Sequence, residues 1–205
     1  MSKVQQKQLK RRTEIIETAI RLMNDTPFDA LSVSDICEAA DISIGSFYHY
    51  FSRKSDLLVG LLSLVDEALE ETVFPSLTHP DQREDLRLLA RGFASYIQGN
   101  DLERSRLMAA IEPFDTDLSG RPRALVVKVA ELFRRGQEVE QITRSLPAEE
   151  LTRLYLIALR GVSVDWTRHN GSYDLLGTMD TFLSLFLRSV SPTEEERAQR
   201  AEGQT

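Results

Sequence analysis

Apolar side chains recur along this chain at spacings of three and four residues, which is the period of an amphipathic α-helix. The first such stretch spans residues 12–24 and has apolar positions at Ile15, Ile16, Ala19, Ile20 and Met23. Neither an internal repeat nor the alternation typical of β-strands is present. We therefore predict an all-α fold of about nine helices.

Two short helices are predicted directly after this first helix. Ser32 to Asp35 has the spacing of a capping box, in which a serine and an acidic side chain each accept a backbone N–H at a helix start. The helix that begins there ends before Asp41 and Ile42, and a third helix spans residues 43–51. A supporting helix followed by two short helices around a tight turn is the plan of a helix-turn-helix DNA-binding domain.

Six further helices are predicted downstream, and glycine and proline residues mark most of their ends. They cover residues 55–73, 82–98, 101–112, 122–135, 147–170 and 173–191. The chain thus divides into a candidate DNA-binding domain at 1–54, a larger helical domain at 55–192, and a flexible polar tail at 193–205.

The charge is unevenly distributed between these parts. The whole chain carries a net charge of -7, but residues 1–54 hold one more basic than acidic group. Residues 1–12 alone hold five basic groups and no acidic one. We expect this segment to be a flexible cationic arm that contacts phosphates, with a frayed, solvated terminus as the alternative.

Several classes of protein are disfavoured by what the sequence lacks. No apolar run approaches the roughly 18 residues of a membrane span, and no apolar segment follows the basic start. The single cysteine, Cys37, and three scattered histidines offer neither a disulfide nor a metal-ligand spacing. No nucleotide-binding or hydrolase motif occurs. We expect a cytoplasmic protein that is not an enzyme, with no cofactor, metal or membrane partner.

Residues 33–58 resemble the DNA-binding signature of TetR-family transcriptional regulators. The specific marks, which stand in register, are Ser43, Gly45, Tyr48, Phe51, Lys54 and Leu57. The resemblance covers residues 8–60 by motif and implies a homodimer that binds a pseudo-palindromic operator in double-stranded DNA. It further implies that residues 55–192 form a ligand-binding and dimerisation domain. The protein would then be a repressor that a small-molecule effector releases from the operator. Activation of transcription instead of repression stays open. The alternative to an effector-binding protein is one whose larger domain recruits a protein partner.

Two positions depart from the family pattern. Asp41 stands where members usually carry glycine, and aspartate tolerates a left-handed backbone better than most residues do. Ile44 stands where many members place a polar or basic side chain. This isoleucine either reads a thymine methyl group or simply packs against the protein.

The candidate DNA-binding residues lie in the basic segment, at the helix starts and along the third helix. They are Lys10, Arg11, Arg12, Ser32, Ser43, Ile44, Gly45, Ser46, Tyr48, His49, Tyr50 and Lys54.

Most of these residues also have a purely structural interpretation. The resemblance implies a phosphate contact for Tyr48, whose alternative is a core aromatic. Lys54, next to a helix N-terminus, either attracts a phosphate or is an ordinary exposed lysine. Ser32 caps its helix with or without a DNA contact, and His49 and Tyr50 face either DNA or solvent. A helical glycine at position 45 indicates crowding by another helix or by DNA, since it costs ~1 kcal/mol relative to alanine.

The larger domain offers candidates of two kinds. For a ligand pocket they are aromatic, sulfur-bearing or polar residues of the middle helices, each with a core role as the alternative: Phe93, Tyr96, Met108, Phe114, Tyr155, Trp166 and His169. For a dimer interface they come from the broad apolar faces of the last two helices: Tyr155, Leu159, Val162, Trp166, Leu176, Met179, Phe182, Leu183 and Phe186. The alternative for these faces is a monomeric core packed on both sides. Arg160 pairs either an anionic ligand or an acidic side chain.

Overall fold

The structure, a computed structural model, describes residues 3–23, 25–100, 102–110, 121–194 and 196. These residues form nine α-helices and one short 3-10 helix, and none of them lies in a β-strand, which confirms the all-α prediction. The helices are α1 Lys3–Met23, α2 Val33–Ala39, α3 Ile44–Tyr50, α4 Asp56–Thr72, α5 Gln82–Gly99, α6 Leu102–Ala110, α7 Ala124–Glu138, α8 Ala148–Arg168 and α9 Leu175–Ser189; the 3-10 helix is Phe74–Ser76.

The first helix is longer than the sequence pattern predicts. It begins at Lys3 rather than near Arg12, so the expected flexible arm is helical over its described residues. The apolar period starts only at Ile15, but residues 3–12 are mostly lysine, glutamine, arginine and leucine, with neither glycine nor proline. These residue types favour helix without any buried face. Periodicity alone therefore misses this part of α1.

Helices α1, α2 and α3 form the head of the molecule, and they pack around a small apolar core. Ile15 and Ala19 of α1, Ile36 of α2 and Phe47 of α3 are completely buried there. Phe51, which follows α3, closes the core beneath the phenyl ring of Phe47, with ring centroids 5.2 Å apart. Because the core side of α3 is occupied in this way, its opposite side faces outward.

The long helix α4 joins the head to the body, which consists of α5 to α9. It contacts α1 at one end and α5, α6 and α7 along the rest of its length. A nearly buried ion pair fixes it to the body, since the Arg123 guanidinium binds both carboxylate oxygens of Asp66 at 2.6 and 3.0 Å. Burial raises the pKa of the neighbouring Glu67, and the charge of Arg12 on α1 opposes that shift.

The body is a helical bundle centred on α5 and α8. Helix α5 packs against α7, α8 and α9, and α8 also contacts α6. The predicted tail starts with an anchor, because the Glu196 carboxylate accepts hydrogen bonds from the Thr143 hydroxyl and the Arg144 amide. Residues 195 and 197–205 lie outside the described residues. No described helix has the length and hydropathy needed to cross a membrane.

Candidate nucleic-acid interface

A capping box starts α2, as the sequence predicts. The Ser32 hydroxyl accepts the Asp35 amide at 3.1 Å, and the Asp35 carboxylate accepts the Ser32 amide at 2.7 Å. The Ser32 hydroxyl also donates to this carboxylate, and these hydrogen bonds lower the pKa of Asp35. Ser32 is exposed, so one of its faces is accessible from outside the head.

The turn between α2 and α3 depends on a left-handed residue. Asp41 has a φ of 51°. The Asp41 amide donates to the Glu38 carbonyl and the Ile42 amide donates to the Cys37 carbonyl, which is the hydrogen-bond pattern of a Schellman cap. Aspartate thus occupies the conformation that favours glycine.

Arg11 holds this turn against α1. Its guanidinium donates to the Ala40 and Asp41 carbonyl oxygens at 3.1 and 3.2 Å and to the Glu14 carboxylate at 2.9 Å. These donors are directed at the protein, so in this structure Arg11 has a structural role, and its phosphate contact stays a prediction. Arg12 is also directed inward, with its guanidinium 5.9 Å from the centroid of the Phe51 ring.

The start of α3 presents small polar side chains that cap the helix. The Ser43 hydroxyl accepts the Ser46 amide at 3.0 Å, and the two serine hydroxyls lie 2.9 Å apart. A Cβ added to Gly45 would meet only the Ser43 Oγ, at 3.8 Å. No described helix therefore crowds Gly45, and close approach of DNA at this position stays a prediction.

Two large side chains project from one side of α3. Ile44 is 51% exposed and Tyr48 is 53% exposed, and the two are one helical turn apart. The Tyr48 ring packs edge-on against Phe47 at 5.5 Å between centroids, so buried structure orients its exposed hydroxyl. The alternative of Tyr48 as a core aromatic is excluded by its exposure.

The other side of α3 borders an open depression of about 690 Å³. Its lining residues come from α1, the turn and α3: Arg11, Asp41, Ile42, Ser43, Gly45, Ser46, His49 and Tyr50. His49 is exposed, Tyr50 is half-buried, and their rings pack edge to face. Serine hydroxyls, an imidazole and a phenol in one groove suit hydrogen bonding to phosphates and base edges.

Lys54 does not have the position that the sequence predicts. Its ammonium donates to the Phe28 and Leu31 carbonyl oxygens, at 2.8 Å each, and to the Asp29 carbonyl at 3.4 Å. It also lies 4.5 Å above the centre of the Phe28 ring. A lysine has three N–H donors, so this one is fully used in holding the loop between α1 and α2. In this structure Lys54 is therefore a structural clamp, and its phosphate contact stays a prediction.

Other cations are exposed on the surface of the head. Lys7 and Lys10 are exposed on α1, and Arg53 is exposed while it pairs with Asp56 at 3.0 Å. Of the predicted DNA contacts, the structure thus places those of α3 on one outward region, with Lys10 and Ser32 also exposed on the head. A helix-turn-helix head whose recognition helix, here α3, faces outward is typical of the class of DNA-binding proteins.

Comparison with known proteins identifies the family. Residues 15–61 match the family model described as bacterial regulatory proteins, tetR family. The regulator EthR of Mycobacterium tuberculosis is 25% identical over 192 residues, which cover 88% of this chain and 87% of EthR. Residues 15–61 thus carry a TetR-family DNA-binding domain, and the chain is a DNA-binding transcriptional regulator.

Solved structures share the fold over the same length. FadR from Bacillus subtilis, in complex with stearoyl-CoA, superposes with a TM-score of 0.68 at 18% identity, over 85% of this chain and 97% of FadR. AibR, in complex with isovaleryl coenzyme A and operator DNA, gives a TM-score of 0.60 at 19% identity, with 85% and 97% covered. The shared fold therefore includes the body as well as the head.

The predicted ligand-binding residues do not all lie together. Tyr155 is fully buried and its hydroxyl donates to the Leu86 carbonyl at 2.6 Å, while the Trp166 indole donates to the Tyr173 carbonyl at 3.0 Å. Both are core residues whose polar atoms hydrogen-bond to the backbone, so the core role that was their alternative is present, and a role in a ligand pocket stays a prediction. His169 is exposed where α8 ends.

Three other ligand candidates lie on α5 and α6, two helices of the body that contact each other. Phe93 and Tyr96 are half-buried on α5, and Met108 is buried on α6, which contacts α5. Burial raises the pKa of the Tyr96 hydroxyl, and Arg104 beside it, at 3.4 Å, opposes the shift. Phe114 lies outside the described residues.

Most of the predicted dimer contacts are buried in the monomer. The structure buries five of them inside the monomer, where they cannot reach a partner: Tyr155, Leu159, Trp166, Met179 and Leu183. The other four are half-buried: Val162, Leu176, Phe182 and Phe186. The broad apolar coverage of α8 and α9 is real, but α8 turns that side of its surface toward α5, α6 and α7.

The outward apolar residues of α8 and α9 are ones that the sequence analysis missed. Ile157 on α8 is 55% exposed and Leu185 on α9 is 60% exposed. Gly161, one turn after Ile157, is exposed, and a Cβ added there would meet nothing within 4 Å. The sequence contained a signal for them, since Ile157 and Leu185 lie at helical spacing next to the apolar residues that were assigned to the interface.

Proposed function

We propose that this protein is a homodimeric repressor that places two copies of α3 in successive major grooves of a pseudo-palindromic operator. The observation that carries the proposal is the outward region of α3, with an oriented Tyr48 hydroxyl and an uncrowded Gly45. A single seven-residue helix reads few base pairs, so tight binding needs two heads about one helical turn of DNA apart. Such a protein acts in the cytoplasm, where the chromosome lies.

The partner surface is the outward side of α8 and α9. Ile157 and Leu185 expose apolar side chains on two helices that pack against each other, and Gly161 leaves room for close approach. Glycine within a helix costs about 1 kcal/mol relative to alanine, and nothing in the described part of the monomer requires it at this position. A second copy crossing α8 near Gly161 supplies the reason.

The effector is proposed to be an acyl thioester of coenzyme A. Two proteins of the same fold, FadR and AibR, are bound to such thioesters in their solved structures. Phe93, Tyr96 and Met108 offer apolar and aromatic surface on α5 and α6 for an acyl chain. An apolar site with few oriented polar groups is typical of pockets for small molecules.

Helix α4 provides the physical connection between effector and head. The Asp66–Arg123 pair ties it to α7, and Glu67 lies within the electrostatic influence of Arg12 on α1. A shift of α6 or α7 on effector binding therefore moves α4 and the head together. The resulting change in spacing between the two heads lowers operator affinity, because both grooves must be reached at once.

DNA binding is tested by selecting duplexes from a random pool with the full-length protein and measuring the affinity of the enriched sequence by fluorescence anisotropy. We expect an enriched pseudo-palindrome, bound by one dimer, with affinity that falls steeply as salt increases. Failure to enrich any sequence would refute the proposal. The dimer is tested with Gly161→Leu, which we expect to weaken self-association while leaving the helical content unchanged.

The effector is tested by adding coenzyme A thioesters of increasing chain length to the protein–operator complex. We expect release of the operator and a higher melting temperature with a subset of chain lengths, and no effect of coenzyme A alone. Tyr96→Ala should reduce both responses, whereas His169→Ala, exposed at the end of α8, should not. If no thioester releases the operator, this effector class is wrong, and the alternative of a protein-recruiting domain gains support.

A further inference from the structure

An exposed isoleucine, Ile44, lies at the start of the recognition helix α3, and the described part of the chain does not bury its side chain. Ile44 is the first residue of α3, and half of its surface is exposed. In the described part of the head, the only other large hydrophobic side chain that is this exposed is Tyr48. Phe47 and Phe51 lie in the core instead.

The neighbours of Ile44 leave it as the projecting contact at this end of the helix. The Ser43 and Ser46 hydroxyls hydrogen-bond each other, and Ser43 caps the helix, so both side chains are held at the helix start. Gly45 has no side chain, and the depression beside α3 is lined by residues on either side of Ile44 but not by Ile44 itself. A molecule that approaches the start of α3 therefore meets the branched side chain of Ile44.

The chemistry of this side chain limits what it can recognise. Isoleucine neither donates nor accepts hydrogen bonds, so it gains nothing from a phosphate or from the polar atoms of base edges. The C5-methyl group of thymine is the apolar feature that a base pair presents in the major groove. A β-branched residue is also stiff about χ1 in a helix, which keeps the loss of side-chain entropy on contact small.

We propose that Ile44 is a specificity-determining residue that reads the C5-methyl group of one thymine in each operator half-site. The inference rests on the proposed function, since it requires α3 to enter the major groove. The missing Cβ at Gly45 permits the tip of the helix to approach the base edge closely. Sequence preference at this base pair then comes from burial of apolar surface, without a hydrogen bond.

The test replaces each thymine of the selected operator by deoxyuridine, which removes only the methyl group. Affinities are measured by fluorescence anisotropy for the wild-type dimer and for Ile44→Ala. Burial of one methyl group is worth a factor of about four in affinity. We expect one thymine per half-site at which wild-type binding weakens about fourfold, or about fifteenfold when both half-sites are changed. Ile44→Ala should bind the thymine and deoxyuridine duplexes equally at that position.

Two controls separate this inference from general damage. Tyr48→Phe keeps the apolar tip, so it should bind more weakly overall yet retain the full dependence on the methyl group. Ile44→Ala should retain the wild-type melting temperature, because the side chain is exposed. The inference is overturned if the wild-type protein ignores every deoxyuridine substitution, or if Ile44→Ala keeps the same sensitivity. Tight wild-type binding with either result leaves the proposed function standing, whereas no enriched operator overturns both.

Discussion

The outward side of α3 and the outward side of α8 and α9 are built from similar parts. Each exposes an isoleucine, Ile44 or Ile157, and each has a helical glycine nearby. A Cβ added to either glycine would not clash with the protein. Their surroundings differ. Around α3 lie a tyrosine hydroxyl, serines and the cations of α1, whereas the apolar side chains Val164 and Phe182 are half-buried along α8 and α9.

We infer from this difference that the function of an exposed apolar residue depends on the groups around it. Beside cations and hydroxyls it can contact a base in a polyanion, because the neighbouring groups bind the phosphates. Beside other apolar side chains it gains more from a second copy of the same surface, as expected for a symmetric dimer. Substitutions at the two surfaces should therefore change different measurements.

The largest expected effect is at the α8–α9 surface. Ile157→Glu would place a carboxylate on the interface surface of both copies. Like charges that face each other in an interface cost several kcal/mol. We expect a monomer by sedimentation at micromolar concentration and at least a hundredfold loss of operator affinity. Val127→Glu is the matched control, since Val127 on α7 is 50% exposed and lies outside this surface. A dimeric Ile157→Glu protein with normal affinity would show that the partner surface lies elsewhere.

The second-largest expected effect is a difference in stability between inward-facing and outward-facing cations of the head. Lys54→Met removes an ammonium that binds three carbonyl oxygens, so we expect the free energy of unfolding to fall by about 2–3 kcal/mol. Lys10→Met, on the exposed side of α1, should leave stability unchanged. Thermal or urea unfolding of both variants measures this difference.

The salt dependence of operator binding separates the two lysines a second time. Loss of one phosphate contact per head lowers the slope of log affinity against log salt by about 1.8 for a dimer. Lys10→Met should lower the slope in this way if Lys10 contacts a phosphate, whereas Lys54→Met should keep the wild-type slope. A reduced slope for Lys54→Met with unchanged stability would restore the phosphate contact that the structure argues against.

The smallest expected effect is at the turn of the head. Asp41→Gly relieves a left-handed conformation and should raise the free energy of unfolding by up to about 1 kcal/mol. It also removes a carboxylate that lines the depression beside α3, so operator affinity should rise about twofold. Asp41→Asn keeps a residue that tolerates this conformation and should show the affinity gain with little change in stability. Equal stabilities for the two variants would mean that the turn carries no strain.

Local signals in the head were readable from the sequence, because they depend on residues close together in the chain. The Ser32 capping box and the left-handed Asp41 each involve contacts within a few residues. Lys54 differs, because its partners lie 23 to 26 residues away and its position next to a helix start suggested a phosphate contact. A sequence does not show which acceptors a long cationic side chain will reach.

The α8–α9 surface failed to be predicted for another physical reason. Helical spacing identifies apolar stripes, but α8 has apolar residues on more than one side, and only the packing of α5, α6 and α7 decides which side is enclosed. Tyr155 and Leu159 were therefore assigned to a partner although they lie in the core, while Ile157 was missed. The order of the helices was predictable, whereas their rotation about their own axes was not.

The most direct test of the account is operator affinity of Tyr48→Ala, measured by anisotropy at moderate salt. Tyr48 is half exposed, so its removal should leave the dimer and the melting temperature of the head nearly unchanged. A lost hydrogen bond to a charged phosphate is worth about 1.5–3 kcal/mol in each head, which predicts at least a hundredfold weaker binding by the dimer. Unaltered affinity in a folded, dimeric Tyr48→Ala protein would contradict the claim that this side of α3 contacts DNA.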